Sequence, residues 1–211
     1  DTHSVTGLTS NPSIFDKAIS TGDYNESIKA QAMGGLSSEE IFFDLAIADL
    51  RRAADLFRAI HQRTGGVDGW VSLEVSPLLA HDTAKTVEAA KAVHARAGRS
   101  NLFIKIPGTP EGLPAIEECI ASGVPVNVTL LFDADQYLAA ADAYLRGIER
   151  RVAAGLNPVV WSVASEFISC WAAEGASSVP RESEPQLGRA GCNKRRREYR
   201  GIWAAGRRQQ P

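Results

Sequence analysis

No stretch of the 211 residues is apolar for long enough to span a bilayer as a helix. Charge of one sign is also missing, since 23 Lys and Arg face 25 Asp and Glu and leave a net charge of −2. These two absences remove any whole-chain argument for membrane or nucleic-acid binding. Cysteine is scarce: Cys119, Cys170 and Cys192 are odd in number and lack metal-ligand spacing. A disulfide framework or thiolate metal centre is therefore not expected, and a reduced, cytoplasmic interior fits best. No glycine-rich dinucleotide fingerprint follows the first strand, and no signal peptide is read before Asp1, where the chain starts without Met.

What is present is an alternation of strand and helix patterns. Val5 to Thr9 reads as a short strand, turned by Ser10-Asn11-Pro12 into a helix through Ile14, Phe15, Ala18 and Ile19. From Ser37 a long helix carries apolar residues at Ile41, Leu45, Ala48, Leu56 and Ile60, and Thr64-Gly65-Gly66 stops it. Strand Trp70–Val75, a helix from His81 to Ala97 and a strand from Asn101 follow. Next come a helix through Leu113, Ile116 and Ile120, strand Val124–Leu131, a helix from Asp133 to Ala154, and a fifth strand over Val159–Val163. Five strand-helix repeats predict parallel strands joined by right-handed crossovers, in a doubly wound sheet or a (β/α)8 barrel. The missing fingerprint favours the barrel. The expected fold class is α/β, an incomplete TIM-type barrel with about five β/α units.

One residue breaks the pattern. In Leu102-Phe103-Ile104-Lys105-Ile106 a lysine interrupts a run of branched and aromatic residues that Pro107 and Gly108 end, the composition of a strand buried on both faces. A lysine in water is neutral in only about one molecule in 2500 at pH 7. Kept in such a strand, its ammonium is paired with a carboxylate or is readily deprotonated, and a neutral amine at a barrel mouth can attack a carbonyl carbon. The alternative is a snorkelling lysine or a structural ion pair.

Side chains of a strand alternate with period two, so Ile104 and Ile106 point one way and Lys105 the other. The same parity sends Leu73, Val75, Val126 and Val128 toward the helices and turns Ser72, Glu74, Asn127 and Thr129 inward. Gly7, Thr9 and Asn11 fall together, and Ser165 lies just past the fifth strand. The predicted ring is Thr9, Asn11, Glu74, Lys105, Asn127, Thr129 and Ser165, near the carboxyl ends of strands where barrel active sites lie. Each has a plainer alternative: Thr9 and Asn11 as turn and capping residues, Glu74 as a structural partner of Lys105, and Asn127 and Thr129 as satisfied core polar groups. Ser72 reads as packing.

Four segments carry a resemblance: Gly7-Leu8-Thr9-Ser10-Asn11-Pro12-Ser13-Ile14-Phe15, Val71-Ser72-Leu73-Glu74-Val75-Ser76-Pro77, Phe103-Ile104-Lys105-Ile106-Pro107-Gly108-Thr109 and Asn127-Val128-Thr129-Leu130-Leu131-Phe132. In order and spacing they resemble the signatures of the transaldolase family, over residues 1 to about 169. The resemblance implies a barrel enzyme of the pentose phosphate pathway that moves a dihydroxyacetone unit from sedoheptulose 7-phosphate or fructose 6-phosphate to glyceraldehyde 3-phosphate or erythrose 4-phosphate, without metal or organic cofactor. It makes Lys105 the imine-forming nucleophile, and Glu74 and Thr129 the holders of a proton-shuttling water. Asn11, Asn127 and Ser165 would meet substrate, with Thr9 in support. It also implies a catalytic aspartate in an Asp-Asp-Leu type motif upstream of the Thr-Ser-Asn-Pro turn, for which Asp1 is not the counterpart. The phosphate-gripping arginine that usually ends the Ser165 motif is replaced by Cys170. Activity of this chain is accordingly expected to be impaired.

Residues 1–169 read as a partial barrel and 170–211 as a basic tail outside the family pattern. The tail carries Arg181, Arg189, Lys194, Arg195, Arg196, Arg197, Arg200, Arg207 and Arg208 with few aliphatics, a composition expected to be disordered and to resemble a frame-disrupted terminus. Rival functions are a noncatalytic protein whose tail binds RNA or an acidic partner, and a Schiff-base aldolase that releases free dihydroxyacetone. Sugar phosphates are the expected partners, nucleic acid and membrane are not, and the chain is expected to be a monomer or homodimer.

Overall fold

The structure, a computed structural model, describes residues 5–166. The tail and Cys170 lie outside them, as does the boundary at 169/170. Strand β1 (Leu8–Thr9) leads through α1 (Pro12–Ile19), α2 (Asn25–Met33) and α3 (Ser38–Arg63) to β2 (Val71–Glu74). After a short 3-10 turn at Pro77–Leu79 come α4 (Thr83–Ala97), β3 (Leu102–Pro107), α5 (Gly112–Ala121), β4 (Val126–Leu131), α6 (Ala134–Ala153) and β5 (Ser162–Glu166).

Local chemistry starts the helices. Ser37 and Glu40 form a reciprocal capping box at α3, with the Ser37 N–H donating to Glu40 Oε2 at 2.8 Å and the Glu40 N–H to Ser37 Oγ at 3.3 Å. The Asp82 carboxylate accepts the Lys85 N–H at 3.0 Å to open α4, and Asp133 accepts the Gln136 N–H at 2.7 Å to open α6. Gly98 ends α4 in the left-handed region at φ 58°.

All five strands are parallel and lie in the order β1-β2-β3-β4-β5. A doubly wound sheet reverses its strand order, so that helices cover both faces. Here the order never reverses, and right-handed crossovers put successive helices on one face, as in one half of a barrel. The core fills the space between them: Val71, Leu73, Val75, Ile104, Ile106, Val126 and Val128 pack against Ala46, Leu50, Ala90, Ile116, Ile120, Ala140 and Ala143. Helices α5 and α6 approach closely because Gly147 lacks a side chain; a Cβ there would sit 2.7 Å from Ile120 Cβ and 2.8 Å from the Glu117 carbonyl oxygen. Buried Asn101 donates to the carbonyls of Ala54 and Gly69, both at 2.9 Å, and so ties the start of β3 to α3 and to the loop before β2. Near the amino ends of the strands, Trp70 stacks on Phe103 at 4.0 Å between ring centroids and lies 6.5 Å from Trp161.

Several boundaries differ from the sequence reading. Only Leu8 and Thr9 of the first predicted strand pair with β2, and α2 was not anticipated, because it buries no residue and so has no apolar stripe. In α3 the buried face is Ile41, Leu45, Ala46, Ile47, Leu50 and Ala54; Leu56 is 80% exposed, since the helix rotates it away from the sheet. The fifth strand begins at Ser162 rather than Val159. The apolar run that suggested otherwise is spent elsewhere: the Val160 N–H turns back to the Pro158 carbonyl and Trp161 joins the aromatic cluster.

Candidate active site

The register of the sheet sets Glu74 beside Lys105, and Lys105 beside Asn127. Their flanking residues Leu73, Ile104, Ile106, Val126 and Val128 belong to the helix-facing core, which leaves the polar members on the other face. Lys105 Nζ donates to Glu74 Oε2 at 2.9 Å, with the two side chains 11% and 17% exposed. Its second contact is the Ser10 carbonyl at 3.4 Å. The carboxylate partner expected for a lysine in this strand is thus present. Excluded water strengthens the pair's attraction, and removing one partner would strand the other charge.

A second hydrogen-bonded group adjoins the first. Ser165 Oγ donates to Asn127 Oδ1 at 2.8 Å, and Asn127 Nδ2 donates to Ser72 Oγ at 3.2 Å. Ser165 lies within β5, not past it, because that strand begins three residues later than predicted. Ser72, which the sequence reading left to packing, is thus part of the polar face. Its carbonyl also accepts the Ser10 N–H at 3.2 Å and the Ser10 hydroxyl at 2.9 Å. The parity of Ser72 with Glu74 was the signal that could have found it.

The remaining predicted residues stand differently. Thr129 is buried, opposite Pro107 in register, and its carbonyl accepts the Gly108 N–H at 2.7 Å. Immediately after it, Leu130 has φ 57°, the one positive value among the described non-glycine residues. The pairing of β4 with β5 slips there by one residue, a bulge that redirects the strand end. Asn11 caps α1, its side-chain oxygen accepting the Ile14 N–H at 2.8 Å, as the plainer alternative had it. Thr9 is exposed on β1. Beyond β3, Gly112 lies so close to the Pro107 carbonyl that any side chain there would collide with it.

An amine, a carboxylate and an oriented amide on three adjacent strands can form an imine with a carbonyl compound. A family model for transaldolase/fructose-6-phosphate aldolase matches residues 1–201. The chain belongs to that family. Among its relatives, the transaldolase of Frankia alni is 48% identical over 168 residues, covering 79% of this chain and 45% of that protein. Transaldolase 2 of Nostoc punctiforme is 46% identical over 167 residues, 78% of this chain and 44% of the relative. Transaldolase 1 of Streptomyces avermitilis is 44% identical over 191 residues, 90% and 48% of the two chains. The chain spans about half the length of the curated transaldolases it matches. Among the described residues no helix is long and apolar enough to cross a membrane.

Proposed function

We propose that the chain performs the lysine Schiff-base chemistry of a transaldolase on a ketose phosphate such as sedoheptulose 7-phosphate or fructose 6-phosphate. The observation that carries this reading is the 2.9 Å contact between Lys105 Nζ and Glu74 Oε2 on the shielded polar face of the sheet. Imine formation needs a neutral amine, and Glu74 is placed to take the proton. The freed amine adds to the ketone carbon, and Glu74 returns the proton as the hydroxyl departs as water, leaving the nitrogen doubly bonded to carbon. When the bond between the next carbon and the hydroxyl-bearing carbon beyond it breaks, its electron pair moves toward that positive nitrogen, the hydroxyl gives its proton to the Glu74 carboxylate, and the far fragment leaves as an aldehyde. The enamine left on Lys105 then attacks an acceptor aldehyde. Thr129 and Asn11 are assigned to the proton path and the substrate hydroxyls, and Asn127 with Ser165 to the imine side. Thr9 supports the turn. The imine step asks for no metal or organic cofactor, and we place it in the cytoplasm, in a monomer or homodimer.

Borohydride reduction in the presence of fructose 6-phosphate, followed by peptide mass analysis, tests this. A reduced adduct is expected on Lys105 and is expected to vanish in Lys105→Ala. Equal adduct yield in that variant overturns the assignment. The family description joins transaldolase with fructose-6-phosphate aldolase, so a simple aldolase is the second reading. Release of free dihydroxyacetone without an aldehyde acceptor would favour it.

A further inference from the structure

Ser72 stands where two hydrogen-bonded groups of the polar face meet. Through its carbonyl it holds the Ser10 N–H and hydroxyl at 3.2 and 2.9 Å, and the Ser10 carbonyl in turn faces Lys105 Nζ at 3.4 Å. Through its hydroxyl it accepts Asn127 Nδ2 at 3.2 Å, while Ser165 occupies the other end of the same amide at 2.8 Å. Ser72 is 4% exposed and Asn127 5%, so little water competes for these bonds.

An asparagine amide has two N–H donors and an oxygen with two lone pairs. With one hydroxyl engaged at each end, the plane of the Asn127 amide is fixed. Among the described residues, one N–H and one lone pair then remain in that plane, on the strand neighbour of Lys105. A planar amide held in this way can meet an imine nitrogen or its hydroxyl substituent without first reorienting, which is the benefit of a preorganised dipole. We infer that Ser72 is a positioning residue for the imine chemistry, acting through Asn127 rather than on substrate. This inference rests on the reading of Lys105 as the nucleophile.

The test is a double-substitution cycle read by the limiting rate of borohydride-trapped adduct formation with saturating fructose 6-phosphate. Ser72→Ala is expected to slow trapping by about 10- to 100-fold, and to slow it less than about twofold in an Asn127→Ala background, because the residue through which it acts is then gone. The urea midpoint, measured alongside, shows that each variant is folded. Proton exchange at the Asn127 side-chain amide, followed by NMR, is expected to quicken in Ser72→Ala while backbone amides of β2 and β4 keep their rates. Trapping unchanged by Ser72→Ala, or slowed equally with and without Asn127, overturns the positioning role while leaving Lys105 in place. No trapping in the parent chain overturns the reading of Lys105 and this inference with it.

Discussion

A salt bridge between side chains 11% and 17% exposed is costly to build, and its net contribution to stability is small once desolvation is counted. On the proposed mechanism its value lies in proton transfer, which one substitution isolates. Glu74→Gln keeps the size of the side chain and an oxygen to accept from Lys105, but it cannot take a proton. Trapping of the ketose should slow by about 10²- to 10⁴-fold, measured as adduct formed per unit time, with the fold intact by circular dichroism. A loss of less than about threefold would remove Glu74 from the proton path. Cys119 behaves in the opposite way: it is fully buried, and desolvation pushes its thiol up to about 12. In the native protein it should resist iodoacetamide at pH 8 and label only after denaturation, as peptide mapping would show. Both residues are visible in the sequence, but only one announces itself. Lysine in an apolar strand is an anomaly with a chemical meaning, whereas a cysteine in a helix is not.

Among the elements, β4 has the least ordinary backbone. Leu130 is held at φ 57° where the pairing with β5 gains one residue, directly after Thr129. A β-branched side chain tolerates that conformation worse than leucine does, so Leu130→Val should cost about 1–2 kcal/mol in urea unfolding. An unchanged midpoint would show that the bulge relaxes freely. Periodicity could not reveal this feature, since Val126 to Leu131 reads as an uninterrupted strand. The same blindness explains α2, whose nine residues bury nothing, and the late start of β5, where Val159 to Trp161 supplied apolar residues that the fold uses in a turn and an aromatic cluster. Where an element packs one regular face on the sheet, as α4 and α6 do, pattern and structure agree to within two residues at either end.

At the scale of the whole molecule, the outer helices are laced together by charge. Lys91 of α4 and Arg150 of α6 both reach Glu118 of α5, at 2.8 and 2.7 Å, and Arg146 reaches Glu117 at 2.7 Å. The Lys91 ammonium first, then the Arg150 guanidinium, hold the Glu118 carboxyl down to about 2 from 4.5. A folded-state value below the unfolded one gives stability that is complete above about pH 4.5 and is lost as the pH falls toward 2. Because these side chains are a third to a half exposed, screening limits the contribution to about 1 kcal/mol. Glu118→Gln should therefore be less stable than the parent at pH 6, and the difference should shrink near pH 2.5 and in about 1 M salt. A difference independent of pH would assign the effect to packing.

The alternation of strands with packed helices, the inward parity of Glu74, Lys105 and Asn127, and the family signature all follow from the sequence, because they depend on local period and residue type. The strand order that marks a half-barrel, the bulge at Leu130, and the joining of Asn127 to Ser72 and Ser165 were decided by tertiary structure. Those partners lie 55 and 38 residues apart along the chain. Which hydroxyl meets which amide depends on the register between strands, and register is set by how the whole helix-facing core packs, a property that no single segment carries.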